Sequence, residues 1–553
     1  MSGVVGLADE YWDYFRTSAQ LWNIDRGDVD QVAQWEDLSG SGVSRRIEEL
    51  RGFAQRADDF PRDGLGDREL TLLGALSFSA GSTAVGLPYL RDLSLVAGPA
   101  NFATFLSVFV PSYVLSTRAH GRGYVDKVRS VPAFVDGWIS GLREGLAVGR
   151  VATARGVARA VAAYDTLLAA AISDDPLASQ EPPIEASVAE VESWRAAVLA
   201  AVRDEARPAV LRLRDHLRDD VLPVARSDEQ AGMCHLPDGE EGYAGLLWAA
   251  TSTELTPAAI HQIGLDQFAR LDDEYSSLGR VVFGIDDPAQ IRDRLRDDQT
   301  LRYRTDVEIA HDARTVLARA EAEAQRWFTR VPRAGCAFVA VGTGPMAFYT
   351  GPSPDGSRGG TFYCNTSDPS AWRRFQLEVT TFHEAVPGHH FQLALAQELD
   401  LHPIVGELEV TSYGEGWGLY AERLADEMSL YTSPLQRMGM LTMDSLRAAR
   451  LVADTGLHAL GWTRDQAIEF VGSHTAHDRA GAEVEVDRYI SDPGQATSYM
   501  IGRLALDGFR RHASDRLGEQ FSLQQFHDVV LGHGMTPLDV LGRTVDAWID
   551  RSL

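Results

Sequence analysis

Apolar residues recur at helical intervals along most of the chain and alternate at strand intervals in one short region. Phe134, Trp138 and Leu142 step by four behind Pro132, which predicts a helix starting at that proline. A run rich in Ala, Val, Arg and Glu predicts helix from Glu185 to Glu205. Pro208 interrupts it, and helix resumes through Leu211, Leu213 and Leu217 toward Pro223. Thr256-Pro257 reads as an N-cap followed by proline at the first helical position, and a further helix is expected from Asp306 to Arg330. The β pattern is confined to Cys336 to Val341, Met346 to Thr350 and Thr361 to Cys364, separated by Gly and Pro turns. The expected fold is mainly α, with a small antiparallel β-sheet. A cluster of turn formers from Ser227 to Gly239 marks a boundary between an N-terminal helical domain, 1–230, and a second domain, 231–553.

The sheet leads directly into the most informative stretch. Trp372, Phe375, Val379, Phe382 and Val386 recur at steps of three and four, the buried stripe of a helix, and His383-Glu384 sits just off it. Two His residues one helical turn apart can reach one metal because the rise between them is about 6 Å. Here the next His residues, His389 and His390, lie six and seven positions after His383. In an unbroken helix a seven-residue step rises roughly 10 Å, too far for easy convergence. Pro387-Gly388 stands between them. Proline removes the donor that would bond back to residue 383, and glycine tolerates the resulting angles, so a bend there brings His389, with His390 as second choice, to the place of a second ligand.

A catalytic zinc takes three protein ligands. Glu415 is the leading candidate for the third, flanked by Gly416 and Gly418 at the head of the next helical stretch. Glu422, two turns on, shares its face and is placed to support the ligands. Glu384 is the candidate general base. The competing explanation is bland: a His-Glu pair in a helix is commonly solvated surface. Two more His residues and a glycine-flanked Glu favour the metal site.

Composition narrows the rest. The 553 residues carry a formal charge of −27, which argues against nucleic acid, whose binding needs clustered Lys and Arg. Cys234, Cys336 and Cys364 are far apart with no C-x-x-C pair, so no disulfide framework is expected. No basic start precedes an apolar run at the N-terminus, and the longest apolar stretch, Leu95 to Val110, falls short of a membrane span. A cytoplasmic location without membrane contact is the expectation. Oligomeric state is not legible.

The run His383-Glu-Ala-Val-Pro-Gly-His-His390, followed by Glu415-Gly-Trp-Gly-Leu-Tyr-Ala-Glu422, resembles the bacterial domain-of-unknown-function family 885 (DUF885). That family is similar in turn to the gluzincin zinc peptidases, including thimet-type oligopeptidases and Taq-type carboxypeptidases. The resemblance implies a zincin-like helical fold, a zinc ion on His383, His389 and Glu415, and hydrolysis of small peptides. The stretch Asp454 to His458 and the run Arg488-Tyr489-Ile490 to Tyr499 resemble further family blocks. They make Tyr499, His458 and Arg488 the candidates to hold the oxyanion. Many zincins lay substrate along an edge strand, which points to Thr361, Tyr363 and Asn365. Other zinc chemistry, on a non-peptidic amide or in a lyase or rearrangement step, is the alternative. A non-catalytic metal- or peptide-binding protein is the third.

Overall fold

The helical spacing is realised throughout the computed structural model, which describes residues 3–18, 35–98, 101–110, 113–353, 356 and 358–553. Helix ends follow local capping chemistry more closely than the sequence suggested. The helix through Phe134 and Trp138 spans Arg118–Ala147 and holds Pro132 in its interior. It begins earlier because Thr117 caps it, its hydroxyl accepting from the His120 amide at 3.1 Å. Likewise Pro208 does not break its helix. The chain runs from Val188–Ala201 through a wider π-type turn, Val202–Ala206, into Arg207–His216, and that turn accommodates the missing donor. Thr256 caps Pro257–Val282 and Thr305 caps Asp306–Trp327, as expected.

Three strands form the sheet, β1 (Cys336–Val341), β2 (Ala347–Thr350) and β3 (Gly360–Asn365), in the order β1-β3-β2. β2 pairs antiparallel to β3, with Ala347 opposite Cys364, and β1 pairs parallel to it, with Cys336 opposite Gly360. The sheet is therefore mixed, and the expectation of an antiparallel sheet holds for one of its two pairings. The parallel pairing arises because β1 and β2, consecutive in sequence, do not pair with each other, and β3 enters between them. Thr361, Tyr363 and Asn365 lie on this central strand. Both of its edges are already bonded, so it cannot accept a substrate as an edge strand.

The helix Pro434–His458 runs through the interior. Every residue from Met438 to His458 except Met443 is buried, the mark of a helix surrounded by protein. Its charged side chains are paired: Asp444 with Arg423 and Arg503, and Arg450 with Glu485. The core around it draws on Trp138 and Leu213 as well as Leu451 and Tyr489, so it is continuous across residues 225–242, where two short 3₁₀ turns stand. Within the apolar stretch 95–110, Leu95, Val96, Phe102, Phe105, Leu106 and Val110 are buried. A second core, with Phe362, Phe382, Trp417 and Phe526, joins the sheet to the candidate site.

Candidate metal centre

The helix Arg374–Glu384 buries Phe375, Val379 and Phe382 and ends one residue after His383. From Ala385 (φ −108°, ψ −106°) to Gly388 (φ −80°, ψ −126°) the backbone leaves helical geometry, with a cis Val386–Pro387 peptide between, and a second helix starts at His389. Trp417 secures the break, its indole N–H donating to the Pro387 and Gly388 carbonyls at 3.0 and 3.2 Å. A side chain at Gly388 would stand 1.8 Å from the His383 carbonyl oxygen, so the bend requires glycine. The His383 and His389 rings then lie with centroids 4.8 Å apart and planes at 86°.

The helix Thr411–Glu427 delivers the third group. Glu415 Oε2 is 3.3 Å from His383 Nε2 and 3.6 Å from His389 Nε2, and donor atoms of the three residues lie within 4.8 Å of one another. Two glycines allow this approach. A Cβ on Gly418 would meet His383 Cε1 at 2.6 Å. On the opposite side Gly416 abuts Gly502 of the helix Ser498–Leu517, where a Cβ would come within 1.9 Å of the Ser412 carbonyl oxygen.

Behind the cluster, His383 Nδ1 meets Glu422 Oε1 at 2.8 Å, with Glu422 fully buried. That contact holds the proton on Nδ1 and turns Nε2 toward Glu415. Tyr431 donates to the Glu422 carbonyl at 3.0 Å, and Arg447 Nη2 lies 3.6 Å from the Glu422 carboxylate. His389 Nδ1 lies 3.3 Å from Gln392 Oε1. Burial opposes charge on His383, but Glu415 and Glu422 outweigh it and lift the imidazole to about 9. Burial likewise works against ionisation of Glu415, and the two imidazoles hold its carboxyl well below the usual range. Glu415 Oε2 is buried without a hydrogen-bond partner, an uncommon state for such an atom, and it faces two imidazole Nε2 atoms. Two imidazoles and a carboxylate are the kind and number of donors that hold a divalent metal ion.

The remaining predicted residues divide. Glu384 is half-buried, and its charge acts on both His383 and His389. Tyr499 is buried, its hydroxyl accepting from Arg488 Nη2 at 3.2 Å. Three guanidinium carbons surround its ring, those of Arg450, Arg447 and Arg488 at 4.6, 5.6 and 5.8 Å. Burial and then the Glu415 charge raise the phenol's pKa, so it stays protonated. His390 turns toward the sheet, its Nδ1 2.8 Å from the Tyr349 hydroxyl, and burial pushes it down to about 4. His458 is no oxyanion donor. Met233 N–H donates to its Nδ1 at 3.1 Å and its Nε2 meets the Tyr489 carbonyl at 3.0 Å, so both nitrogens are committed to backbone, and burial lowers it to about 3. Tyr363 stacks on Phe348 at 4.6 Å, Thr361 Oγ1 accepts from Arg358 and Asn365 Nδ2 donates to Gly344, contacts that stabilise the sheet and its loops. Sequence reasoning missed Gln392, Trp417, Arg447 and Arg450. Arginines at positions 447 and 450, amid Leu and Ala on a helix without a polar face, were the available signal for the last two.

A mainly helical protein with a His–His–Glu donor cluster at a broken helix is the class these features define. The chain belongs to the family described as bacterial protein of unknown function (DUF885), whose model matches residues 21–545. The fold is similar to the crystal structure of a candidate lipoprotein from Colwellia psychrerythraea, with a TM-score of 0.88 and 25% identity over 100% of both chains. It is also similar to a candidate lipoprotein of unknown function from Shewanella oneidensis, with a TM-score of 0.77 and 18% identity over 98% of this chain and 99% of that one. No curated protein matches the sequence.

Proposed function

We propose that this protein is a zinc-dependent hydrolase acting on small peptides. The observation that carries the reading is the convergence of His383 Nε2, His389 Nε2 and a buried, otherwise partnerless Glu415 Oε2. His383, His389 and Glu415 would hold a zinc ion, which would supply Lewis acidity toward a scissile carbonyl and toward bound water. Glu384, adjacent in sequence to the first ligand, takes the proton of the attacking water and passes it to the leaving amine. Tyr499 is supported as the oxyanion donor by its bonding pattern. Arg488 occupies a lone pair of the hydroxyl, and no described residue accepts its proton, which is left for a developing negative charge. Glu422 fixes the tautomer and orientation of His383.

Elemental analysis with a peptide-library assay tests this. One zinc per chain is expected, with turnover falling about 10²–10⁴-fold in Glu384→Gln while the metal is kept. Absence of stoichiometric metal, or full activity in that variant, would remove the reading.

A further inference from the structure

Around Tyr499 the arginines differ in one respect. Arg450 forms a two-bond pair with Glu485 at 3.0 and 3.1 Å, and Arg447 lies 3.6 Å from Glu422. Arg488, on the helix Arg479–Ser491, is half-buried, yet no described carboxylate stands within ion-pairing distance of it. Its protein partners are neutral: Nη2 donates to Tyr499 Oη at 3.2 Å and to Gln495 Oε1 at 2.5 Å. Nη1 and Nε have no described partner and are not among the buried unpartnered atoms, so they reach solvent. Asp492 feels the Arg488 charge, which opposes the effect of burial on its carboxyl, but lies beyond contact. A partly desolvated guanidinium whose Nη1 and Nε donors are free can take a carboxylate through a single charge-assisted hydrogen bond, Nη2 being held by Tyr499 and Gln495.

We propose that Arg488 binds a free carboxylate of the substrate, which makes the substrate class short peptides or N-acyl amino acids cleaved close to their C-terminal end. This rests on the hydrolase reading above for the place of the scissile carbonyl. An oxygen bonded to Tyr499 and a carboxylate bonded to Nη1 or Nε of Arg488 are separated by at most about 11 Å, given the 3.2 Å from the Tyr499 hydroxyl to Nη2, ~2.3 Å across the guanidinium and hydrogen bonds of ~2.8 Å. At about 3.8 Å between successive Cα atoms, that places the carboxylate at most about three residues beyond the bond that is cut.

Two measurements test the assignment. Zinc-loaded protein is titrated calorimetrically with succinic acid monohydroxamate and with the matching carboxamide. The acid is expected to bind about 10–100-fold tighter, and that ratio to collapse toward one in Arg488→Ala and Arg488→Gln. Equal binding by the unaltered protein, or a ratio that survives in the folded variants, overturns the proposal. In metal-free protein, N-acetyl-alanyl-alanine is expected to slow phenylglyoxal modification of Arg488, read by peptide mass spectrometry, and its C-terminal amide is not. Equal protection, or none, overturns the proposal without reliance on any variant. Selective protection in a protein that takes up no zinc would support the carboxylate site and sink the hydrolase reading.

Discussion

His389 and His390 are adjacent and chemically identical, and their surroundings give them opposite roles. His389 faces Glu415 across 3.6 Å, whereas His390 lies against Tyr349, where Gly360 makes room. Metal titration should separate them. His389→Ala is expected to weaken zinc by more than the ~10–100-fold that loss of a supporting group costs. His390→Ala should keep the metal and lose about 1 kcal/mol of stability with its hydrogen bond. Uptake of zinc by the first variant at unaltered affinity would exclude His389 as a ligand. Much of this cluster was legible in the sequence because a candidate metal site needs rare residue types at restricted spacings. His383, Glu384, Glu415 and Glu422 stood out for that reason. His458 misled because a buried histidine bonded to backbone has the same one-letter signature as a catalytic one.

At the scale of elements, apolar spacing identified helices and strands well and their limits less well. The π-type turn ahead of Pro208 and the entry of β3 between β1 and β2 depend on partners distant in sequence, which periodicity does not encode. At one close helix crossing, Gly416 on Gly502, the partner Gly502 was also invisible, since a glycine in a helix has no periodic signal. It makes a sharp prediction. Gly502→Ala should destabilise the protein by about 1–3 kcal/mol, because its methyl group meets the Ser412 carbonyl. Gly508→Ala on the same helix, where a Cβ meets nothing within 4 Å, should be stabilising by about 0.5–1 kcal/mol. Denaturant midpoints of the two variants check the contrast, and equal effects would refute the account of the crossing.

For the molecule as a whole, stability carries an ionic signature of the buried helix. Asp454 accepts from the Tyr243 hydroxyl at 2.6 Å and from the Gly494 amide, yet burial pushes its carboxyl up to about 7. A carboxyl that holds its proton more tightly when folded contributes stability that is fully present below pH ~4, its unfolded value, and is lost as pH rises toward 7. Asp454→Asn should therefore flatten the pH dependence in that window by up to ~1.4 kcal/mol per pH unit, measured by denaturant unfolding at pH 4.5 and 7. An unchanged slope would mean that Asp454 ionises freely in the folded chain.

The Pro434–His458 helix has a further implication. Residues before 230 close one side of the core in which it lies, and the site helices close another. The His–His–Glu cluster is thus not a cassette that could be excised, grafted or inherited separately from the rest. Any change in the surroundings of that cluster has to be made inside a core that residues on both sides of position 230 build together.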